Sequence, residues 1–220
     1  MASSDRSLNN QARFNQVAWS YYSPALSFFE VFGERLIESL GVSIGESVID
    51  LGCGTGALTL AAATRVGGTG RAVGVDISAG MLEVAARRSR EAGHDWTTYH
   101  ESDIVDLEFD EEFDYGVCGF VTQWFDNLTT VPRALVKHVR PNGKIGISVW
   151  GRGSWEPHRT VFAEVLSHIR PDLIPKPGNI NRLENRGCWN RSWLSPAFAT
   201  SKSKPSTSRI GCRTSTNTGA

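Results

Sequence analysis

The sequence predicts an α/β protein with a doubly wound, mostly parallel β-sheet flanked by helices. Short apolar segments of strand length alternate with segments of helical length between residues 47 and 150, and this alternation is typical of parallel sheets. A glycine-rich loop, Gly52 to Gly56, directly follows the first strand, and Asp76 ends the second. Both features lie at the carboxyl ends of strands, where this class of fold binds its ligands.

The size and composition are those of one α/β domain. The chain has 220 residues, of which 40% are apolar and 21% are charged, and its formal net charge is zero. A zero charge gives no argument for nucleic acid as a partner. The N-terminus lacks a secretory pattern, and no apolar run approaches the ~18 residues that would span a bilayer. We therefore expect a cytoplasmic protein and no nucleic acid as its main partner.

The four cysteines are far apart in the sequence, at Cys53, Cys118, Cys188 and Cys212. Zinc sites and disulfide frameworks of small domains show closer and paired spacings. We therefore expect free thiols and no metal site.

Apolar spacing places the elements along the chain. In residues 24–40, apolar side chains recur at intervals of three and four, and Pro24 suits a first helical turn, so an amphipathic helix is predicted there. Strands are predicted at 47–51, 71–76, 96–100, 115–120 and 144–150. Helices are predicted at 56–66, 78–92, 129–139 and 158–169, and the residues RPNG, 140–143, predict a turn before the last strand.

The glycine loop is compatible with two kinds of cofactor. Gly52, Gly54 and Ala57 satisfy the loose dinucleotide pattern G-x-G-x-x-G/A, and Asp76 lies where an acid would hold a ribose. However, a third glycine stands at Gly56, and Asp50 precedes the loop. A carboxylate there would repel a pyrophosphate and attract an ammonium or a sulfonium. These two residues favour S-adenosyl-L-methionine over a dinucleotide.

Several ordered motifs resemble one family. They are FNQVAWSYY, VIDLGCGTG, GVDISAGMLEVAARR, SDIVDLEFDEEFDYGVCGF and ALVKHVRPNGKIGISVWG, which together run from residue 14 to about residue 150. The chain resembles the class I S-adenosylmethionine-dependent methyltransferases, particularly the branch around the ubiquinone and menaquinone C-methyltransferases. The resemblance implies a Rossmann-like fold and methyl transfer to a small molecule.

The resemblance also assigns roles at the cofactor site. The loop glycines would let the methionyl part approach the backbone, Asp50 would face its ammonium group, and Asp76 would accept hydrogen bonds from both ribose hydroxyls. Asp103 would bind the exocyclic amine of the adenine. The full set of expected cofactor-binding residues is Asp50, Gly52, Cys53, Gly54, Gly56, Asp76, Ile77, Met81, Asp103, Ile104 and Phe120.

Three of these residues have structural alternatives. Asp50 could cap the next helix, Asp103 could be a helix cap or a turn residue, and Met81 could belong to the core of an apolar helix face. We expect cofactor binding for both aspartates. For Met81 the two alternatives stay open.

Methyl transfer needs alignment more than a dedicated base, because effective proximity alone can supply about 7–11 kcal/mol. We expect Tyr21, Gln123 and Trp124 near the reacting atoms. Tyr21 matches the tyrosine of the family's W-D-x-x-A-x-x-Y pattern, which is varied here to FNQVAWSY. His100, His138 and His158 are not expected to be catalytic. For His138 the dipole of a helix C-terminus is a sufficient explanation.

The last part of the chain departs from the family. Residues 187–220 hold five basic residues, no acidic residue and twelve serines or threonines, and this composition predicts disorder. We divide the chain into a helical cap at 1–45, a cofactor-binding core at 46–150, a partial substrate-side segment at 151–186 and an aberrant tail at 187–220. The last antiparallel strands of the family are expected to be absent.

A frameshift near residues 185–187 is our hypothesis for this departure. A shifted reading of codons from Gly187 onward permits VLEQVLAESGFRDVKVE, which reads as an amphipathic helix, a turn and a strand. Sequencing of the encoding DNA tests the idea, since an early stop in the shifted frame would refute it.

The function expected from the sequence is therefore methyl transfer from S-adenosylmethionine to a carbon, oxygen or nitrogen of a small molecule. One alternative is a cofactor-binding protein whose turnover is impaired by the altered C-terminus. A nicotinamide-dependent oxidoreductase is a further alternative, which Asp50 and Gly56 disfavour.

Overall fold

The structure is a computed structural model, and it describes residues 3–151, 154 and 156–173. Its helices are α1 (Ser3–Tyr21), α2 (Phe28–Leu40), α3 (Ala57–Val66), α4 (Ala79–Glu91), α5 (Thr130–His138) and α6 (His158–Ile169). Its strands are β1 (Ser47–Leu51), β2 (Arg71–Asp76), β3 (Thr97–Glu101), β4 (Phe113–Gly119) and β5 (Val139–Ser148). Short 3₁₀ turns occupy Pro24–Leu26, Gly67–Thr69, Thr122–Trp124 and Pro171–Leu173.

The described strands form one five-stranded sheet in the order β3-β2-β1-β4-β5. Every neighbouring pair is parallel. The strand order reverses between β1 and β4, so a crevice forms where their carboxyl ends diverge. The predicted doubly wound, parallel fold is confirmed.

Alternation along the buried strands gives the sheet a core on each face. Val48 of β1 packs with residues of α2 and α3, including Ile37 and Ala62. Its neighbour Ile49 points to the other face, where it joins a cluster that contains Leu135 of α5. Because successive side chains of a strand point to opposite faces, this layering follows from the continuous apolar run of β1.

The N-terminal helix α1 is fastened over the segment that follows β2. The Gln11 side-chain amide donates to the Ile77 carbonyl oxygen at 2.9 Å, and Asn15 Oδ1 accepts from the Gly80 amide at 3.0 Å. Ala18 of α1 packs on Met81 of α4. These contacts hold the end of α1 beside the crevice at the switch point.

Two elements differ from the sequence prediction. The helix predicted over 24–40 begins as the 3₁₀ turn Pro24–Leu26, and α2 starts only at Phe28. The turn predicted at RPNG is an irregularity within β5, because Val139 pairs with Phe113 whereas Lys144 already pairs with Tyr115. Asn142 lies inside this bulge with a φ of 68°, a conformation that asparagine tolerates better than most residues.

The calls for 187–220 lie outside the described residues. Among the helices that the structure describes, none combines the length and the apolar character needed to cross a membrane.

Candidate functional site

A cavity of about 440 Å³ opens at the carboxyl ends of β1, β2 and β4. This volume lies in the range of small-molecule and cofactor sites. Every residue of the predicted site except Gly56 lines the cavity: Tyr21, Asp50, Gly52, Cys53, Gly54, Asp76, Ile77, Met81, Asp103, Ile104, Phe120, Gln123 and Trp124. The topology therefore brings together residues that are spread over about half of the chain.

The three glycines of the loop share a backbone conformation but differ in their surroundings. Gly52, Gly54 and Gly56 all have positive φ, at 75°, 54° and 84°, which is costly for other residues. A Cβ at Gly52 would lie 2.5 Å from a methyl of Val121, and one at Gly56 would lie 3.0 Å from the Cβ of Ala85. A Cβ at Gly54 would meet no atom within 4 Å among the described residues. Gly54 thus presents bare backbone to the cavity, while the other two glycines serve packing.

The Asp50 carboxylate is buried below the loop. Its Oδ2 accepts from the Thr59 hydroxyl, in the first turn of α3, at 2.7 Å. Its Oδ1 is buried and has no hydrogen-bond partner among the residues that the structure describes. One oxygen is thus tied to α3, in line with the capping alternative, and the other has no described donor; the contact with a cofactor ammonium stays a prediction.

Burial raises the pKa of Asp50 from 3.8 to about 7; the Thr59 hydrogen bond opposes this shift, and the negative charge of Asp76 adds to it. An unpaired buried carboxylate is unfavourable unless a cation or a donor is supplied. The ammonium group of a bound amino acid would supply both.

Asp76 connects the end of β2 to the glycine loop. Its Oδ2 accepts from the Gly54 amide at 2.8 Å, and its Oδ1 accepts from the Ser78 amide at 2.9 Å. Burial raises the pKa of Asp76, and these two backbone hydrogen bonds oppose the rise. Because each carboxylate oxygen can accept a second hydrogen bond, the residue can hold a diol and shape the loop at once.

Two further residues of the predicted cofactor site, Met81 and Asp103, also line the cavity. Met81 lines the cavity and also packs against Ala18 and Val84, so it is both a core residue and a wall residue. Asp103 Oδ1 accepts from the Val105 amide at 3.1 Å, which is the turn geometry named as its alternative. Its position in the cavity wall is also compatible with an adenine contact, and that role stays a prediction.

Cys53 is a buried wall residue rather than a reactive one. Burial raises the pKa of its thiol well above the usual range, and the charges of Asp76 and Asp50 raise it further. The thiol is therefore neutral and acts as a small apolar group. Cys118 is also a buried free thiol.

Aromatic rings form the other end of the cavity. Phe120 lies against Trp150 with ring centroids 4.3 Å apart and meets Phe29 at 5.6 Å. Tyr21 stacks on Phe29 at 6.2 Å. Phe120 has a φ of 57°, which is rare for a bulky residue. Residues with such strained backbones are concentrated at functional sites.

Two other predicted residues flank this aromatic end. The ring of Trp124 lies edge-on to that of Phe14, with centroids 5.3 Å apart. The Gln123 side-chain amide donates to the Phe120 carbonyl oxygen, and its Oε1 is buried without a partner among the described residues. Their catalytic roles, and that of Tyr21, remain predictions.

Sequence reasoning missed several cavity residues. Phe29 was interpreted only as the apolar face of a helix, and Phe14 and Trp150 were not considered as walls. Asn10, Asp126 and Asn127 also line the cavity. The adjacent pair Phe28-Phe29 was a usable signal, because one helix face cannot direct both side chains into the same core.

The ionisable wall residues of the cavity that the structure describes are acidic. They include Asp50, Asp76, Asp103 and Asp126, and no lysine, arginine or histidine is among the wall residues that the structure describes. The cavity therefore favours cationic and neutral ligand groups over anionic ones.

The histidines lie elsewhere. His100 packs edge-on against Phe109, with ring centroids 5.0 Å apart. His138 is 2% exposed, and burial together with Lys137 lowers its pKa. It ends α5, as predicted, and burial favours its neutral ring. His158 begins α6 and is exposed.

Together these features define a class of protein: an α/β enzyme of the Rossmann type with a glycine loop and two carboxylates, Asp50 and Asp76, at the carboxyl ends of its strands. The residues fit S-adenosylmethionine. The partnerless Oδ1 of Asp50 suits its ammonium group, the open side of Gly54 suits its methionyl chain, and Asp76 suits its ribose.

Comparisons with known proteins specify the family. The methyltransferase domain family matches residues 48–143. The 2-phytyl-1,4-naphtoquinone methyltransferase of Trichormus variabilis is 33% identical over 159 residues, covering 70% of this chain and 68% of that protein. The demethylmenaquinone methyltransferase of Symbiobacterium thermophilum is 37% identical over 105 residues, which cover 46% of this chain and 41% of that protein.

A solved structure shows the same fold. A SAM-dependent methyltransferase from Aquifex aeolicus superposes with a TM-score of 0.57 at 17% identity, covering 71% of this chain and 87% of that one. The chain belongs to the class I S-adenosylmethionine-dependent methyltransferases. It is a methyltransferase whose cofactor is S-adenosylmethionine, and the predicted family is confirmed.

The raised pKa of Asp50 leads to a prediction for cofactor binding. An ammonium group beside Asp50 favours the carboxylate, so binding of S-adenosylhomocysteine near pH 6 should release close to one proton. Affinity should rise with pH up to about pH 7, by at most tenfold per pH unit. Calorimetry in buffers of different ionisation enthalpy measures the released protons. An unchanged proton release in Asp50→Asn would contradict this assignment.

The raised pKa of Asp50 also predicts how the stability of the cofactor-free protein changes with pH. The folded-state pKa of Asp50, about 7, lies above its ordinary value of 3.8. Its contribution to stability is therefore fully present below about pH 4 and is lost as the pH rises through about 7. Asp50→Asn should remove this loss, so its Tm should exceed that of the wild type by about 5 °C or more at pH 7.5 and by little at pH 4.

Proposed function

We propose that this methyltransferase transfers its methyl group to a small, uncharged aromatic acceptor of the quinol or phenol type. The observation that carries the proposal is the ring cluster of Phe29, Phe120 and Trp150 at one end of the cavity. The exposed faces and edges of such a cluster favour a flat ring packed against them. The names of several relatives, which are naphthoquinone and menaquinone methyltransferases, support the same class.

The acidic character of the cavity restricts the acceptor further. A carboxylate or phosphate near the reacting centre would meet four wall aspartates and no described basic residue. One matched relative is a malonyl-[acyl-carrier protein] O-methyltransferase, whose named acceptor carries a carboxylate. We propose that this chain does not accept such anions, since like charges in a partly buried site repel strongly.

The chemistry divides between the cofactor and the chain. When bound, S-adenosylmethionine supplies a methyl group on a positively charged sulfur. The aspartates and the glycine loop hold the cofactor, and the aromatic cluster orients the acceptor and excludes water. Gln123 is positioned by the Phe120 carbonyl oxygen and leaves its buried Oε1 to accept a hydrogen bond from an acceptor hydroxyl.

Methyl transfer from labelled S-adenosylmethionine over an acceptor panel tests this proposal. The panel pairs a 1,4-naphthoquinol and a simple phenol with an aromatic carboxylate and an aliphatic amine. We expect turnover with the first two and at least ~10-fold slower turnover with the carboxylate. Faster methylation of the carboxylate would overturn the proposal. Binding of S-adenosylhomocysteine without turnover of any acceptor would favour the alternative of a cofactor-binding protein with impaired catalysis.

Removal of the Trp150 ring should weaken binding of the acceptor and leave binding of the cofactor nearly unchanged. Trp150→Ala is expected to raise KM for an aromatic acceptor about 10- to 100-fold, because buried aromatic anchors carry about 2–3 kcal/mol. The Kd of S-adenosylhomocysteine should change less than about threefold. Trp19→Ala is a matched control, since Trp19 is half exposed and packs under Arg87 outside the cavity. Equal effects of both variants on KM would contradict the assignment.

A further inference from the structure

The Arg88 side chain lies outside the cavity walls and links three segments of the chain. It extends from α4 and is only 10% exposed. One guanidinium nitrogen, Nη1, donates to the Thr55 carbonyl oxygen at 2.7 Å. The other, Nη2, donates to Glu30 Oε1 at 2.8 Å. The guanidinium carbon lies 4.6 Å from the centre of the Tyr22 ring, which is within the range of a cation–π contact.

Each of these partners adjoins or forms the cavity wall. Thr55 lies inside the glycine loop and lines the cavity. Glu30 directly follows Phe29, and Tyr22 directly follows Tyr21. Arg88 thus touches the cofactor loop with one end of its guanidinium and the neighbours of two acceptor-side rings with the rest.

The other described hydrogen bonds to the loop come from a different side, while Gly56 also packs against Ala85 of α4. Gly54 is held by Asp76, and the amides of Gly52 and Cys53 donate to the Val75 carbonyl oxygen at 2.8 and 3.0 Å. These anchors belong to the end of β2. The bond from Arg88 is therefore the described hydrogen bond that ties the loop to α4, beside the packing of Gly56, and it continues through Glu30 to the first turn of α2.

We propose that Arg88 is a positioning residue that couples cofactor binding to the N-terminal segment forming the acceptor side of the cavity. A planar guanidinium with fixed donor directions suits this role, because it can bond a carbonyl and a carboxylate at the same time. Cofactor binding that orders the Thr55 carbonyl would order residues 22–32 through Arg88. The inference depends on cofactor binding at the loop and not on the identity of the acceptor.

Calorimetry with S-adenosylhomocysteine gives the first test. Arg88→Met should raise Kd at least about 10-fold, because the charge-assisted hydrogen bond to the Thr55 carbonyl oxygen of the cofactor loop is lost. Arg88→Lys should recover part of the loss. Arg87→Met is the matched control: Arg87 is the neighbouring arginine, its guanidinium carbon lies 4.3 Å from the Trp19 ring centre, and it pairs with Glu91 at 3.4 Å. Arg87→Met should change Kd less than about twofold.

Hydrogen exchange separates coupling from a merely structural role. S-adenosylhomocysteine should slow amide exchange in residues 22–32 of the wild type and of Arg87→Met, and this protection should be absent in Arg88→Met. Glu30→Met, which keeps the bond to Thr55, should bind S-adenosylhomocysteine within about threefold of the wild type and still lose the protection of residues 22–32. Full protection in either Arg88→Met or Glu30→Met would overturn the proposal, as would wild-type affinity in Arg88→Met.

Discussion

Replacing Asp76 by alanine should raise the Kd of S-adenosylhomocysteine at least ~100-fold, because hydrogen bonds to a carboxylate contribute about 1.5–3 kcal/mol each and the predicted role of Asp76 is to accept from two ribose hydroxyls. The substitution also removes the acceptor of the Gly54 and Ser78 amides, which lie 2.8 and 2.9 Å from the carboxylate. The substitution should therefore lower cofactor affinity and disturb the geometry of the loop at the same time. Calorimetry measures the affinity, and thermal unfolding measures the cost to the fold.

Asp114→Ala is the matched control for this experiment. Asp114 also holds backbone, since its Oδ2 accepts from the Ser47 amide at 2.7 Å, and it binds Arg140 through Oδ1 at 2.6 Å. It lies at the start of β4, at the opposite edge of the sheet from the cavity. Both variants should lower Tm, and only Asp76→Ala should lose the cofactor. A similar Kd in both variants would show that Asp76 acts on the fold rather than on the ribose.

The strands and the glycine loop were predictable because their signals are local. The apolar run of β1, the three glycines after it and the aspartate ending β2 all lie within residues 47–76, and the structure places β1 and β2 at the predicted bounds. A parallel sheet then brings the carboxyl ends of β1 and β2 to one edge without further information. The cofactor end of the cavity follows from those two facts.

The acceptor end was not predictable in the same way. Phe29, Phe120 and Trp150 come from α2, the end of β4 and the residues after β5, and they meet only through the packing of α2 on the sheet. An apolar helix position shows burial and not which neighbour it contacts. The prediction of a turn at RPNG was wrong for a related reason. Residues typical of turns can also lie in a bulge inside a strand, and the sequence pattern does not separate the two cases.

Asp50 shows what structure adds to a residue that the sequence had already selected. Its position before the glycines indicates a ligand contact or a helix cap, and the sequence alone does not choose between them. The structure assigns one oxygen to Thr59 and leaves the other without a described partner. The carboxylate thereby gains a fixed orientation from α3, which a cofactor ammonium can use without ordering the side chain itself.

Gly54→Ala should weaken binding of S-adenosylhomocysteine about 10- to 100-fold. It should destabilise the fold only by the strain of a positive φ, which is about 1–2 kcal/mol. The added methyl group would meet no described atom within 4 Å, so it would enter the space of the cavity and not the packed core. A ligand that lies against bare backbone at this point would be displaced. Calorimetry measures this loss of affinity.

Gly93→Ala and Gly52→Ala separate the contributions of strain, packing and ligand contact. Gly93 has a φ of 70° and equally open surroundings but lies after α4, outside the cavity walls. Its alanine variant should match Gly54→Ala in Tm and retain wild-type affinity. Gly52→Ala should lower Tm further, because its methyl would lie 2.5 Å from Val121. Wild-type affinity in Gly54→Ala would mean that the cofactor does not approach the loop at Gly54.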